Sequence, residues 1–458
     1  MAETTAPAMQ ENKMGVMPVK KLLINMSLPM MISMLVQALY NIVDSVFVSR
    51  ISENALTAVS LAFPLQTLMI AVAAGTGVGV NALCSRALGE KNPEKATATA
   101  MNGIFIYILS YLVMLAAGLL LVKPFYTLQT KGADPEIFQH GVTYLSIVMT
   151  LSFGIYAQFI FERILQSTGR TVLTMISQAT GAVINIILDP ILIFGKFGLP
   201  ELGIAGAAYA TVIGQIIAAI LAFIFNMKLN KEIRLSVKKF RPDKKIIGEI
   251  YKIGVPSICM QAIGSVMTAG MNLILMGLSS TAAAIFGVYF KLQSFFFMPV
   301  IGMNNGMIPI ISFNYGARNK ARMLDTLKFA YFLAACFMLL GLAAFEILPK
   351  QLLSIFGATE AMYAIGVPAL RIIGIHFLAA WFCIMTGSFF QCVGRAMYSL
   401  YVSVARQLVV LLPVAWLLSR IGGLDLIWWC LPIAEVMSVC ITLVCRRKVF
   451  KEIIDPME

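Results

Sequence analysis

Residues 201–226 read ELGIAGAAYATVIGQIIAAILAFIFN, with a single charged side chain, Glu201, at the very start. A helix that crosses the hydrocarbon layer needs about 20 mostly apolar residues, and this stretch supplies them. Eleven further stretches have the same character, near 22–48, 56–82, 97–122, 137–165, 172–194, 247–278, 281–311, 324–348, 363–391, 395–418 and 425–445. Several are longer than a spanning helix requires, which implies tilt, a kink or extension beyond the bilayer. The expectation is an all-α integral membrane protein with twelve transmembrane helices.

Composition agrees. Hydrophobic residues make up 59% and charged residues 12% of the 458, against roughly 45–50% and about 25% in soluble domains. Mean hydropathy is +0.85. So few charges cannot cover a soluble surface, and the excess apolar area must face lipid. The net charge of +13 does not signal a nucleic-acid partner, because the basic residues fall in short clusters between apolar runs. The eight cysteines, at 84, 259, 336, 383, 392, 430, 440 and 445, lie mostly inside apolar stretches without a CxxC pair. They read as small packing residues, with neither a structural metal site nor a disulfide framework. The first 20 residues are polar and the apolar run behind them is too long for a signal-peptide core, so no cleaved leader is expected.

Lys and Arg set the orientation. With the N-terminus cytoplasmic, 26 basic residues fall in inside segments, whereas the outside loops hold Arg50, Lys123, Lys131, Lys196, Lys350 and Arg420. Lys291, Arg371 and Arg406 fall within spans. That asymmetry places both termini inside. Nine of the inside cations lie between Lys228 and Lys252, a solvated connector suited to anionic headgroups.

The chain also repeats itself. A shift of 227 aligns Pro29 with Pro256, Phe63 with Phe290, Gln66 with Gln293, Gly75 with Gly302, Gly79 with Gly306, Gly89 with Gly316 and Asn92 with Asn319. A later shift of 225 aligns Gln166, Gly169 and Arg170 with Gln391, Gly394 and Arg395. Six helices per half is an even number, so the halves share one orientation. They are expected to be related by a pseudo-twofold axis along the membrane normal, with a cleft between them. The expected organisation is a tail at 1–20, an N-lobe at 21–227, a basic linker at 228–246, a C-lobe at 247–446 and a second tail at 447–458. Two like-sized bundles around a cleft are a transporter's architecture.

Ionisable groups inside a membrane are costly unless they face a cavity or a partner. Asp44 in the first helix and Asp189 in the fifth both sit shortly before the outer ends of helices running the same way. They therefore share a depth in the N-lobe. Asn41 lies three residues before Asp44 and Asn185 four before Asp189, each on its partner's helical face. Carboxylates and amides at one depth make a site for a proton or a sodium ion; the alternative is a set of interfacial caps wetted by the outer headgroups. Glu435, near mid-depth of the last helix, either pairs with Arg406 or meets a cationic substrate. Glu162 beside Arg163 reads as a local ion pair. Lys291 either snorkels or holds a lobe interface, and His376 is expected to be packed in the core. Pro29 and Pro256 are available as hinges or are simple kinks. The methionines suit a pocket that accepts varied molecules.

Several of these stretches resemble a known family. Asn185-Ile-Ile-Leu-Asp189-Pro190-Ile-Leu-Ile-Phe194-Gly195 resembles the helix-five motif of the multidrug and toxic compound extrusion (MATE) family, and Asn41-Ile-Val-Asp44-Ser-Val-Phe-Val its first-helix motif. Gly203-Ile-Ala-Gly206-Ala-Ala and Phe313-Asn314-Tyr315-Gly316-Ala317-Arg318 fit too, and the similarity covers nearly all of the chain after about residue 20. In detail it is closest in character to the bacterial multidrug-efflux branch. The resemblance implies two six-helix lobes and export of drugs or metabolites in exchange for protons or sodium ions. It also implies that Asp44, Asn185 and Asp189 form an N-lobe cation site. In some members the first helix is proposed to bend near its proline, and Pro29 stands 15 residues before Asp44. One departure is clear: the seventh and tenth spans carry no interior carboxylate here, which throws coupling onto the N-lobe.

Other classes find little support. No GxxxxGK[ST] or long soluble segment offers an ATP site. The two histidines, His140 and His376, make neither an HExxH nor a dyad, so an enzyme is not expected. A channel would show pore loops or polar rings. The nearer rival is a flippase or exporter of a lipid-linked or endogenous metabolite, which would favour cationic residues in the cleft, whereas Asp44, Asp189 and Glu435 lean acidic. The expected molecule is a secondary antiporter of the cell membrane, free of organic cofactors, that exports small organic cations with a proton or sodium ion as coupling ion.

Overall fold

The computed structural model describes residues 12–130, 135–236 and 240–457. Lys131, two of the linker cations, Lys238 and Lys239, and most of the N-terminal tail lie outside the described residues. The apolar runs become helices α1 (Val19–Ser49), α2 (Glu53–Gly89), α3 (Pro93–Leu120), α4 (Pro135–Thr150 with Phe153–Ser167), α5 (Thr171–Phe194) and α6 (Ile204–Leu229). The second half repeats them as α7 (Lys244–Met276), α8 (Ser280–Gly316), α9 (Lys320–Ile347), α10 (Glu360–Gly374 with Phe377–Cys392), α11 (Ala396–Ile421) and α12 (Gly423–Ile454). These are twelve candidate spans by length and composition, counting each bent pair once.

The bent pairs differ from expectation, since 137–165 and 363–391 read as uninterrupted. α4 breaks by 43° and α10 by 49°. At both breaks the ladder tightens to i→i−3 bonds, with Ser152 N–H on the Met149 carbonyl and His376 N–H on the Ile373 carbonyl. His376 Nδ1 also lies 2.6 Å from the Ile373 carbonyl. Neither break carries a proline, so hydropathy cannot see it.

The repeat is written into the backbone. Lys91 and Arg318 both take positive φ, 56° and 55°. The Asn92 and Asn319 side chains behind them cap α3 and α9 through the N–H groups of Lys95 (2.9 Å) and Arg322 (3.1 Å). Short helices follow both, at Val122–Gln129 and Pro349–Ser354.

The repeated glycines mark where the lobes touch. α1 packs along α8 and α7 along α2. A Cβ on Gly75 would sit 2.6 Å from the Ile258 backbone nitrogen, and one on Gly302 2.6 Å from the Met31 Cα. Gly79 lies against the Ile250 carbonyl and Gly306 against Ser27. Gly89 meets the Phe313 carbonyl, and Gly316 the Arg86 carbonyl. Small residues let helix backbones approach where lipid gives no hydrophobic drive. All six lie in the halves of α2 and α8 nearest the chain termini. Those halves are buried almost continuously, whereas Phe63 and Phe295, further out, are 66% and 63% exposed. The lobes therefore close at the terminal end.

A strap crosses that closure. Lys13–Val16 forms one helical turn capped by Asn12, with Met14 fully buried. On the C-lobe side, Asn314 Nδ2 donates to the Met14 carbonyl at 3.1 Å, and Arg322 donates to the Met14 and Met17 carbonyls at 3.0 and 2.8 Å. On the other side, Asn12 Nδ2 donates to Glu232 of the linker at 2.6 Å, and Lys13 Nζ donates to Asn25 Oδ1 of α1 at 3.1 Å. Closer to the membrane centre, Ser27 Oγ donates to the Met303 carbonyl (3.2 Å) and Arg163 to Asn305 Oδ1 (3.3 Å). Arg322→Ala removes both charge-assisted bonds to the strap, each worth about 1.5–3 kcal/mol, and the bond from Nε to Asn314 Oδ1. We expect a Thr76→Cys reporter, buried at the α2–α7 seam, to react roughly tenfold faster with a water-soluble maleimide in the Arg322→Ala background. An unchanged rate would show that the strap does not hold the closure.

Candidate functional site

α1 lies along α5 in the N-lobe, and this packing brings Asp44 and Asp189 together. Asp189 is fully buried and Asn185, one turn earlier, is 3% exposed. Asp44 is half-buried, with its Oδ1 shielded from solvent. The two carboxyl groups lie within electrostatic reach of each other, and both also act on Tyr40 and Tyr144. Tyr144 comes from the first half of α4, and its hydroxyl accepts from Gln66 Nε2 of α2 at 3.2 Å. Asn185 Nδ2 donates to Thr211 Oγ1 of α6 at 3.3 Å.

Four oxygens of this pocket lack donors. Asp44 Oδ1, Asn185 Oδ1 and both carboxyl oxygens of Asp189 are buried with no hydrogen-bond partner among the described residues. Buried acceptors are nearly always satisfied, and an unpaired carboxylate is the costliest to leave bare. A set of acceptors from two helices can hold a proton or a hard cation, for which oxygen ligands are the fitting chemistry. No group of three or more His, Cys, Asp or Glu side chains gathers anywhere among the described residues, so a transition metal finds no ligand set. Asn41 stands apart: it is exposed, and its carbonyl accepts from Ser45 Oγ at 2.8 Å.

Tyr40, Tyr144, Gln66 and Thr211 were not singled out from sequence. Tyr40 had a signal, one turn before Asp44 on the same face. The other three are uncharged residues on separate helices and had none. The C-lobe does not copy the pocket: Met271, fully buried, stands where Asp44 does in the repeat.

The remaining charges are placed as follows. Glu435 (3% exposed) pairs with Arg406 at 3.2 Å, so of the two readings this structure takes the ion pair. Glu162 and Arg163 do not pair. Neighbours in sequence point about 100° apart on a helix. Glu162 accepts instead from Gln158 (2.9 Å), Ser177 (3.3 Å) and Gln178 (2.6 Å). Arg163 donates to Gln166 (2.9 Å) and to Asn305 of the other lobe. Lys291 is exposed, with Nζ 5.8 Å from the centre of the Phe356 ring. His376 is buried and stacks on Phe297. α1 and α7 stay helical through Pro29 and Pro256, both buried.

A family model described as MatE matches residues 29–191 and again 256–417. The chain belongs to the MATE family. The two matches open at Pro29 and Pro256, the same 227-residue shift that aligns the glycines. As a member it is a membrane transporter and not an enzyme. Among its relatives is the multidrug export protein MepA of Staphylococcus aureus, 28% identical over 427 residues and 92% of each chain. MepA of Staphylococcus haemolyticus is 27% identical over 421 residues, covering 92% of this chain and 91% of its own. A MATE multidrug resistance transporter solved in an outward-facing conformation shares the fold, with TM-score 0.90, 24% identity and coverage of 97% and 99%. A MATE solved in a bent conformation aligns with TM-score 0.87 at 25% identity, over 94% and 95%.

The buried ion pair yields a stability prediction. Arg406→Met alone leaves Glu435 buried and unpaired, which costs about 3–5 kcal/mol. Adding Glu435→Leu removes the stranded charge. We expect the single variant to melt well below wild type in detergent and the double variant to recover most of the difference. Equal melting of the two variants would count against the pairing.

Proposed function

We propose that this transporter is a secondary antiporter of the cell membrane that exports small organic cations in exchange for protons or sodium ions. The observation that carries this reading is the N-lobe pocket, where Asp44 and Asp189 from two helices present buried oxygens without protein donors. The multidrug export relatives support the substrate class, and the acidic character of the pocket supports a cation as its guest. The excess of Lys and Arg at the terminal end supports a cytoplasmic location for both termini. The closure of the lobes at that end then corresponds to an outward-open state.

In that state a coupling ion enters from outside and is held by Asp44, Asp189 and Asn185. An ion shifts the balance between two arrangements only by its difference in affinity for them. The pocket spans α1 and α5, and α1 also forms the seam with α8, so loading acts on the element that differs between the states. Substrate leaves outward as the ion loads, and the ion is released after the lobes rock to the inward-open form.

The test uses proteoliposomes loaded with a fluorescent organic cation under an imposed pH gradient or an imposed sodium gradient. One gradient should drive transport by wild type. Asp189→Asn should reduce that transport by roughly tenfold or more while the variant inserts and melts like wild type, because the amide keeps the shape and cannot take the proton or bind sodium as a carboxylate does. Gradient-driven export by Asp189→Asn at the wild-type rate would remove the coupling role.

A further inference from the structure

The two lobes diverge most at one equivalent place. In the N-lobe the space between α4 and α5 is filled by Glu162 with its three amide and hydroxyl donors, and by Arg163. The 225-residue shift puts Gly387 and Ser388 at those positions in the C-lobe. The same pairing recurs in both lobes: Thr174 Oγ1 donates to the Glu162 carbonyl at 3.4 Å, and Ser399 Oγ, 225 residues on, donates to the Gly387 carbonyl at 2.5 Å. With two small residues in place of two large ones, the C-lobe keeps a cavity of about 160 Å³ between α7, α10, α11 and α12.

Its lining is mixed. Met260, Ile384 and Val402 supply apolar wall, and Ser403, Ser438 and Arg406 supply polar groups. Ser438 Oγ is buried and bonds to no nitrogen or oxygen among the described residues. Arg406 gives one N–H to Glu435 at 3.2 Å, and a guanidinium carries five. It sits on a π-helical stretch of α11, Ala405–Leu411, which α5 does not share. Such stretches concentrate at functional sites because they re-aim a side chain. Glu435 acts as the positioning residue that holds the guanidinium at the chamber.

We infer that this chamber is a second substrate-contact site, unique to the C-lobe, that takes one ring of an exported molecule and binds the ring's hydrogen-bond-accepting oxygen on Arg406 and Ser438. The volume fits a single ring, since an apolar cavity of about 150 Å³ admits benzene. The inference rests on the export reading for its biological meaning, but binding tests it without transport.

The probes are rhodamine B, which carries a carboxyphenyl ring, and tetraphenylphosphonium, a cation with no acceptor. Their affinities for the full-length protein in detergent are measured by fluorescence anisotropy and calorimetry. Gly387→Leu fills the chamber and leaves the Arg406–Glu435 pair chemically unaltered; a Cβ there meets only Ser399, at 3.8 Å, and the N-lobe accommodates Glu162 at the matching position. We expect Gly387→Leu, and the Arg406→Met/Glu435→Leu double variant, to weaken rhodamine B by roughly tenfold and to leave tetraphenylphosphonium within about twofold. Unchanged rhodamine B affinity in Gly387→Leu, an equal loss for both probes, or no binding of rhodamine B by wild type would each overturn the chamber. Binding is read without any gradient, so a wild type that binds rhodamine B through the chamber but shows no ion-driven export would overturn the antiport reading and leave this site standing.

Discussion

Six glycines hold the two halves of this molecule against each other. At each, the backbone or side chain of the facing helix occupies the space a Cβ would take, so any larger residue would force the helices apart. In lipid such contacts depend on close packing and on a few hydrogen bonds, because hydrocarbon does not drive apolar helices together. The seam is thus short-range and steep: it is either closed to backbone contact or open. That property suits a protein that must alternate between two arrangements, since packed interfaces are bistable and do not deform continuously. The strap of residues 12–17 and the Arg163–Asn305 bond lie on the same closure and add directional contacts to it.

The repeat that builds the seam is preserved where backbone meets backbone and abandoned at several buried polar positions. Gly75, Gly79 and Gly89 have exact counterparts, as do the caps Asn92 and Asn319. Asp44 faces Met271 across the repeat, and Glu162 faces Gly387. A symmetric scaffold with unlike interiors lets one lobe present carboxyl oxygens and the other a guanidinium beside a hollow. The Asp44–Asp189 carboxyl groups and the Arg406–Glu435 ion pair sit in separate bundles.

Much of this was legible in the order of residues, for definite reasons. Hydrophobic runs long enough to span are rarely anything else, so the number of spans and the repeat could be read directly. Asp44 and Asp189 stood out because carboxylates are scarce in such runs. The breaks in α4 and α10 were hidden because neither carries a proline, and Gly154 and Gly374 beside them look like any other glycines of a membrane helix. The π-helical stretch around Arg406 was hidden too, since one extra residue in a turn leaves the apolar pattern nearly intact. Tyr144 and Thr211 join the pocket only through the packing of α4 and α6 on their neighbours. The Glu162–Arg163 adjacency misled for the converse reason: residues next to each other in a helix cannot face each other.

The position of α1 explains how a pocket in one lobe can bear on the contact between two. Ser27 and Met31 of α1 lie at the crossings with Gly306 and Gly302 of α8, while Asp44 lies further along the same helix. Thirteen residues separate Met31 from Asp44, roughly 20 Å of helix at 1.5 Å per residue. A helix is stiff over that length unless a hydrogen bond is missing, and Pro29 removes one: it has no N–H to give the Asn25 carbonyl, and it stands between Ser27 and Met31, at the seam itself. A displacement of α1 at the carboxylates therefore has two outlets, a bend at Pro29 or a shift of the α1–α8 crossing. α7 has the same proline and the same kind of crossing, but it carries Met271 in place of a carboxylate. Only the N-lobe copy of this lever has a charge to act on its far end, which gives the paired scaffold a direction.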